Sequence, residues 1–317
     1  MVSSHQWGGN WTIIKLETLE RYLQAYTTAL RNRFFLAYID AFAGSGRVPL
    51  KKKSPACPSE IDGSAIRALK LRHPFETYIF IDADRRKLDA LQRRINRDYS
   101  KRNVIYLHGD ANSILQNLRA DQRFWSPKRR AVIFLDPFAL NVEWKTLEAI
   151  AATEKVDLWY LFSIGAVLRL LPRQGLPGDP KWHEKLTKIL GTKDWQQAFY
   201  EPPAQPSLPF QSDEEERVRE KGAQAILNFV LERMKNLFPY VHEEPALLRD
   251  TGNRLLFALF FSMANPSENA KNLALNFIKD MFTDKDHDCP CAKSEAQNAK
   301  GNNGERPDLP LFGKGMK

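Results

Sequence analysis

The sequence predicts an α/β fold: a mostly parallel sheet with helices on both faces and an antiparallel hairpin near the C-terminus. Three observations predict it. Five short runs are apolar at successive positions, as strands buried on both faces are: FFLAYID (Phe34 to Asp40), TYIFID (Thr77 to Asp82), VIYL (Val104 to Leu107), AVIFLD (Ala131 to Asp136) and DLWYLFSI (Asp157 to Ile164). Helical patterns separate them, which implies strand–helix–strand units with right-handed crossovers. Each run also ends in a polar or glycine-rich corner, and open α/β sheets bind ligands at those carboxyl ends.

The elements follow in order. Ile13, Leu16, Leu19, Leu23, Tyr26 and Leu30 recur at helical spacing, so Thr12 to Arg31 reads as an amphipathic helix capped by Asn10 or Thr12. Between the strands, helices are expected over Ser64 to Leu71, Arg85 to Tyr99, Ala111 to Leu118 and Trp144 to Thr153. Leu168 to Gln211 is rich in proline and reads as an insertion with a short helix, Trp182 to Leu190. A helix from Glu214 to Leu237 follows. Two runs, Tyr240 to Leu248 and Leu255 to Met263, then flank a glycine turn and read as a hairpin. A last helix, Ser267 to Phe282, precedes a polar tail. The expected organisation is an N-terminal helical segment (1–33), the first part of the core (34–165), a proline-rich insertion suited to target recognition (166–213), the second part of the core (214–283) and a flexible tail (284–317).

Composition narrows the class. With 317 residues, 43% hydrophobic and 27% charged, the chain has the make-up of a globular protein with a sizeable core. No run approaches the ~20 apolar residues of a membrane span, and Met1 to Asn10 lacks the apolar stretch of a signal peptide. Cys57, Cys289 and Cys291 make no disulfide framework, so a reducing, cytoplasmic setting is expected. The charge is uneven: residues 47–130 hold 20 basic and nine acidic residues, including Lys51-Lys52-Lys53, Arg85-Arg86-Lys87 and Lys128-Arg129-Arg130. Such clusters suit solvated helix faces, and they equally suit a nucleic-acid partner whose phosphates they would neutralise.

The first strand ends in Asp40-Ala41-Phe42-Ala43-Gly44-Ser45-Gly46. Gly44 and Gly46 let the backbone turn sharply and approach a ligand. A dinucleotide site wants a third glycine and a helix immediately after the turn, whereas the next helix here starts near Ser64. A cofactor without phosphate needs no such helix, and S-adenosyl-L-methionine is one, with Asp40 placed to receive its ammonium group or an adjacent water. The second strand ends in Asp82-Ala83-Asp84; a carboxylate there can accept both ribose hydroxyls, with Asp82 on ribose and Asp84 capping the next helix. After the third strand, Asp110 can accept the adenine amine and Asn112 can cap a helix, with Ala111 between them; Phe42 and Ala111 share these corners and complete the cofactor set. The fourth strand ends in Asp136-Pro137-Phe138. Hydrogen bonds from an exocyclic amine to the Asp136 carboxylate and the Pro137 carbonyl would direct its lone pair at a sulfonium methyl and stabilise charge developing on nitrogen. Phe138 adds a ring to stack on a base. Cys289-Pro290-Cys291 with His287 is too sparse for a closed metal site, so no metal is expected.

The series DAFAGSG, FIDAD, GDAN and LDPF resembles the motif order of class I S-adenosylmethionine-dependent methyltransferases. LDPF is similar to the D-P-P-[YFW] signature of amino-methyltransferases and to its D-P-F variant in guanine-N2 tRNA methyltransferases. Trp11-Thr12 with Lys15-Leu16-Glu17, DAFAGSGR, LDPFALNVEWKTLEAIA and DLWYLFSIGAVLRLL resemble the bacterial three-Cys-motif partner protein family over most of residues 11 to 283. That resemblance implies a Rossmann-like methyltransferase fold working beside a separate protein with a three-cysteine motif. The function expected is methyl transfer to an exocyclic amino group, with a nucleic-acid base as favoured target. The alternative is a non-catalytic subunit of the same fold that binds the three-cysteine partner.

Overall fold

The computed structural model describes residues 10–50, 59–173, 176–200, 212–250 and 252–283. Lys51, Lys52, Lys53, Cys57, His287, Cys289, Cys291 and the 284–317 tail lie outside the described residues, as does part of the proline-rich segment.

In chain order, α1 (Asn10–Leu30) leads into β1 (Phe35–Asp40). A small antiparallel ribbon, β2 (Arg47–Pro49) with β3 (Glu60–Asp62), stands where a plain loop is expected, ahead of α2 (Ser64–Leu69). Then follow β4 (Thr77–Asp82), α3 (Arg85–Asp98), β5 (Val104–His108), α4 (Ala111–Ala120), β6 (Arg129–Leu135), α5 (Trp144–Ala151) and β7 (Val156–Phe162). The remainder comprises α6 (Ile164–Leu170), α7 (Pro180–Leu190), α8 (Trp195–Phe199), α9 (Ser212–Lys235), β8 (Tyr240–Val241), β9 (Ala246–Arg249), β10 (Leu255–Met263) and α10 (Glu268–Thr283).

The main sheet has the order β5-β4-β1-β6-β7-β10-β8, with β9 also paired to β10. The first five strands are parallel; β10 runs antiparallel to β7 and to β8 and β9. This is a Rossmann-like order with an antiparallel strand inserted beside β7. Because β4 precedes β5 outward from β1 while β6 and β7 extend the other way, the order reverses between β1 and β6, the kind of switch point at whose carboxyl ends open α/β sheets bind ligands.

Side chains alternate across the pleat, and that parity builds two cores. Ala37, Ile39, Ile133, Leu135, Leu158 and Tyr160 face the side that α5, α7 and α9 cover. Leu36, Tyr38, Val132, Phe134, Trp159 and Leu161 face α1, α2 and α10. Two neighbouring strands therefore continue, at Asp40 and Asp136, on the face where α1 lies.

Two departures from the sequence expectation have local causes. The run Tyr240 to Leu248 is not one strand: β8 and β9 both pair with β10 but are separated by His242 to Pro245, where proline has no N–H to offer a ladder. The expected hairpin itself forms between β9 and β10, with Asp250 accepting from the Gly252 and Arg254 amides at 3.0 and 2.9 Å. Ile164 starts a helix rather than ending a strand, so residue 166 lies inside α6, whose Ala166 and Val167 join the core. In the proline-rich segment, α7 begins with Asp179 capping and Pro180 in its first turn, and it buries Leu186, Ile189 and Leu190. Trp144, Trp159 and Trp195 are buried packing residues, whereas Trp182 is exposed.

Candidate functional site

The glycine turn after β1 is the first part of the candidate site. Gly44 and Gly46 have φ of +60° and +74°, a region L side chains enter only with strain. The two are open to different degrees. A Cβ on Gly46 would lie 2.7 Å from Leu91 Cδ1 and 2.9 Å from Ile66 Cγ1, so any added side chain would force these buried neighbours to shift. A Cβ on Gly44 would meet nothing within 4 Å. The Gly44 backbone therefore faces free space, which is what a ligand lying against this turn requires. Arg94 holds the turn from behind, donating to the Gly46 carbonyl at 2.9 Å and to Asp62 Oδ1 at 2.5 Å; Lys70 also bonds Asp62.

Asp82 stands beside the turn. Its Oδ2 accepts from the Gly44 amide at 2.8 Å and its Oδ1 from the Asp84 amide at 2.7 Å, so both oxygens are oriented while each keeps accepting capacity. Asp84 caps α3, taking the Arg86 and Lys87 amides at 2.9 and 3.4 Å. Asp110 caps α4 through the Ser113 amide at 2.9 Å and stays exposed. Asn112 does not cap α4, contrary to the sequence expectation. Its amide donates to the Asn141 carbonyl at 2.8 Å, and its oxygen accepts from the Glu143 amide at 2.9 Å and the Thr146 hydroxyl at 2.8 Å. Asn112 thus ties the loop after Asp136 to α4. Ala111 is buried in the first turn of that helix, and Phe42 is half-buried at the glycine corner.

Asp40 is set deeper than its neighbours. It is fully buried, accepting from Ser64 Oγ at 2.5 Å, from the Phe42 amide at 3.3 Å and from Tyr38 OH at 3.4 Å. Burial pushes its carboxyl up to about 7, opposed by the Ser64 hydroxyl and reinforced by the negative charge of Asp136. With no surface exposed, Asp40 shapes the turn rather than lining the opening.

Asp136 ends the fourth parallel strand with 27% of its side chain exposed. Lys15 of α1, with a side chain only 6% exposed, forms an ion pair with Asp136 Oδ2. Pro137 is buried, Phe138 is 69% exposed, and Ala139 adopts φ of +59°, which turns the chain abruptly after the ring. The acids at the ends of β4 and β6, the open glycine turn after β1 and an outward-facing aromatic ring thus lie together at the carboxyl ends of neighbouring strands, with Asp110 following β5. Sequence reasoning noted Lys15 only within a resemblance and gave it no role. Its signal was its place on the buried stripe of α1, since lysine is rarely buried without a partner.

In the basic region, Arg47 pairs with Glu60, Arg67 with Glu20, Arg85 with Asp89, Arg94 with Asp62 and Arg97 with Asp98. Arg86, Lys87 and Arg93 of α3 are exposed and form no ion pair among the described residues. Also among the described residues, no group of three or more His, Cys, Asp or Glu is placed to hold a metal ion, and no helix is long and apolar enough to cross a membrane.

No family model matches the chain, and no curated protein matches it. Solved structures similar to it include protein LPL1258 of Legionella pneumophila, at 15% identity and TM-score 0.46, over 86% of this chain and 91% of that one. Trm1 of Pyrococcus horikoshii, solved with S-adenosyl-L-methionine, is similar at 14% identity and TM-score 0.39, over 80% of this chain and 57% of that one. SMU.1697c of Streptococcus mutans, solved with SAH, is similar at 12% identity and TM-score 0.35, over 75% of this chain and 96% of that one. The strand order carries the fold without them.

Proposed function

We propose that the protein is an S-adenosyl-L-methionine-dependent methyltransferase acting on an exocyclic amino group, with a nucleic-acid base as acceptor. The observation that carries this reading is the β6 end, where a partly exposed Asp136, paired through Oδ2 with Lys15, is followed by an outward-facing Phe138. Binding of the cofactor is supported by the open Gly44 backbone and the oriented Asp82 carboxylate, which suits a ribose diol. The cofactor would supply an electrophilic methyl group. The chain's own residues do the rest. Asp136 Oδ1 accepts a hydrogen bond from the amine, the Pro137 carbonyl accepts a second, and the two hold the lone pair in line while stabilising positive charge as it grows. Phe138 stacks on the acceptor ring.

A nucleic-acid acceptor is supported by Arg86, Lys87 and Arg93 on α3, the helix that follows the Asp82 corner, which are exposed and form no ion pair among the described residues. A separate three-cysteine-motif partner is proposed on the sequence resemblance alone. The test is methyl transfer from tritiated cofactor to total nucleic acid and total protein, with wild type and Asp136→Asn. Asp136→Asn is expected to lower turnover about 10²–10³-fold, the worth of one preorganised electrostatic interaction, with cofactor affinity nearly unchanged. Wild-type turnover in Asp136→Asn would remove the amino-methyl-transfer mechanism.

A further inference from the structure

The N-terminal helix brings one charge to the carboxyl ends of the strands. Thr12, Lys15, Leu19, Tyr22 and Tyr26 form the buried stripe of α1, at the three- and four-residue spacing of a helix face. Packing alone calls for an apolar side chain at position 15. The helix is registered on the sheet at its middle, where Tyr22 OH donates to the buried Asp157 Oδ2 at 2.5 Å. Seven residues earlier, about 10 Å along the axis, Lys15 reaches the carboxyl end of β6. Pleat parity has already put Asp40 and Asp136 on this same face of neighbouring strands. Two carboxyl groups in one poorly solvated layer repel each other. Lys15 supplies the counter-charge, and its Nζ also lies 5.4 Å from the centre of the Trp11 ring.

We propose that Lys15 is a positioning residue of the acceptor site: its ammonium group neutralises Asp136, locks one carboxylate oxygen and thereby fixes the other towards the acceptor amine. The proposal rests on the methyltransferase reading above. It makes α1 part of the active centre, since neither the β1 corner nor the β6 corner contains another cation bonded to Asp136 among the described residues. The groups that face Asp40 are Tyr38 from its own strand, Ser64 from α2 and Asp136 from the β6 end, with Lys15 from α1 behind Asp136.

The experiment compares full-length wild type, Lys15→Met, Lys15→Arg and Asp136→Asn in two readouts. In methyl transfer with tritiated cofactor, Lys15→Met should lose about a hundredfold in turnover, as expected when a reacting group is displaced by an ångström, with cofactor affinity by calorimetry within about twofold. Lys15→Arg should recover most of the loss. The second readout needs no turnover: carbon-13 carboxyl titration of Asp40 by NMR. It should move to higher pH in Lys15→Met, where the Asp136 charge is left uncompensated, and to lower pH in Asp136→Asn. Equal or faster turnover in Lys15→Met would overturn the proposal, the faster case marking the ion pair as a block. An Asp40 titration that does not respond to Lys15→Met would overturn it as well. If Lys15→Met does not fold, the same readings are taken on Lys15→Arg, whose loss of about a hundredfold in turnover would count against the proposal. If wild type transfers no methyl group, the functional reading fails by itself, and the titration alone decides the ion pair.

Discussion

The two glycines of the β1 corner should respond in opposite ways to the same added methyl group. At Gly46, alanine must hold φ near +74° and place its Cβ 2.7 Å from Leu91 Cδ1 and 2.9 Å from Ile66 Cγ1. The left-handed backbone costs about 1–2 kcal/mol and the forced overlap about 1–3 kcal/mol more, so Gly46→Ala should lose about 2–5 kcal/mol of stability. At Gly44, the backbone cost is similar, about 1–2 kcal/mol, but the methyl group enters open space. That space is where the cofactor is proposed to lie. Gly44→Ala should therefore fold with modest loss yet bind S-adenosyl-L-methionine at least about tenfold more weakly, which corresponds to about 1.4 kcal/mol. Urea denaturation reads the first quantity, as a fall in midpoint at constant slope, and calorimetry reads the second. Undiminished cofactor affinity in a folded Gly44→Ala protein would refute the assignment of this turn to the cofactor. A Gly46→Ala midpoint equal to that of Gly44→Ala would refute the steric reasoning.

Asp82→Ala removes the acceptor that orients the Gly44 amide together with the proposed ribose interaction, so cofactor affinity should fall about tenfold to a hundredfold; unchanged affinity by calorimetry would exclude Asp82 from the site. The Asp157 carboxyl is pushed up to about 7 by burial, opposed by the Tyr22 hydrogen bond. Its value lies above the unfolded ~4, so its stabilising contribution is complete below about pH 4 and fades as pH rises to 7. Asp157→Asn keeps an acceptor for Tyr22 and should flatten the decline of the urea midpoint across that window; an identical decline would count against the assignment. Replacing Arg86, Lys87 and Arg93 by glutamine should lower the slope of log affinity against log salt for nucleic acid by about one for each phosphate no longer neutralised; a slope that stays at its wild-type value would return the three to a solvated helix face.

What the amino-acid order determined alone is the local material. Strands buried on both faces read as FLAYID or AVIFL because every side chain must be apolar, and their acidic, glycine-bearing ends are legible for the same reason: polarity returns where the sheet stops. Asp82, Asp110 and Asp136 could thus be picked out as strand-end acids. The split of Tyr240 to Leu248 was less legible, because Pro245 excludes a ladder bond only once β10 is known to be the partner. Tertiary structure decided the depth and company of each group. Asp40 and Asp82 end equivalent strands, yet Asp40 is sealed beneath Ser64 of α2 while Asp82 remains at the opening. Lys15 and Asp136 are 121 residues apart, and nothing local in either segment specifies their meeting. It follows from the pleat parity of β6, from the stripe on α1 and from the Tyr22–Asp157 bond that sets the helix along the strands. Those terms act only after the sheet and α1 have packed, because only then is Lys15 taken out of water, where leaving its charge without a partner would be costly.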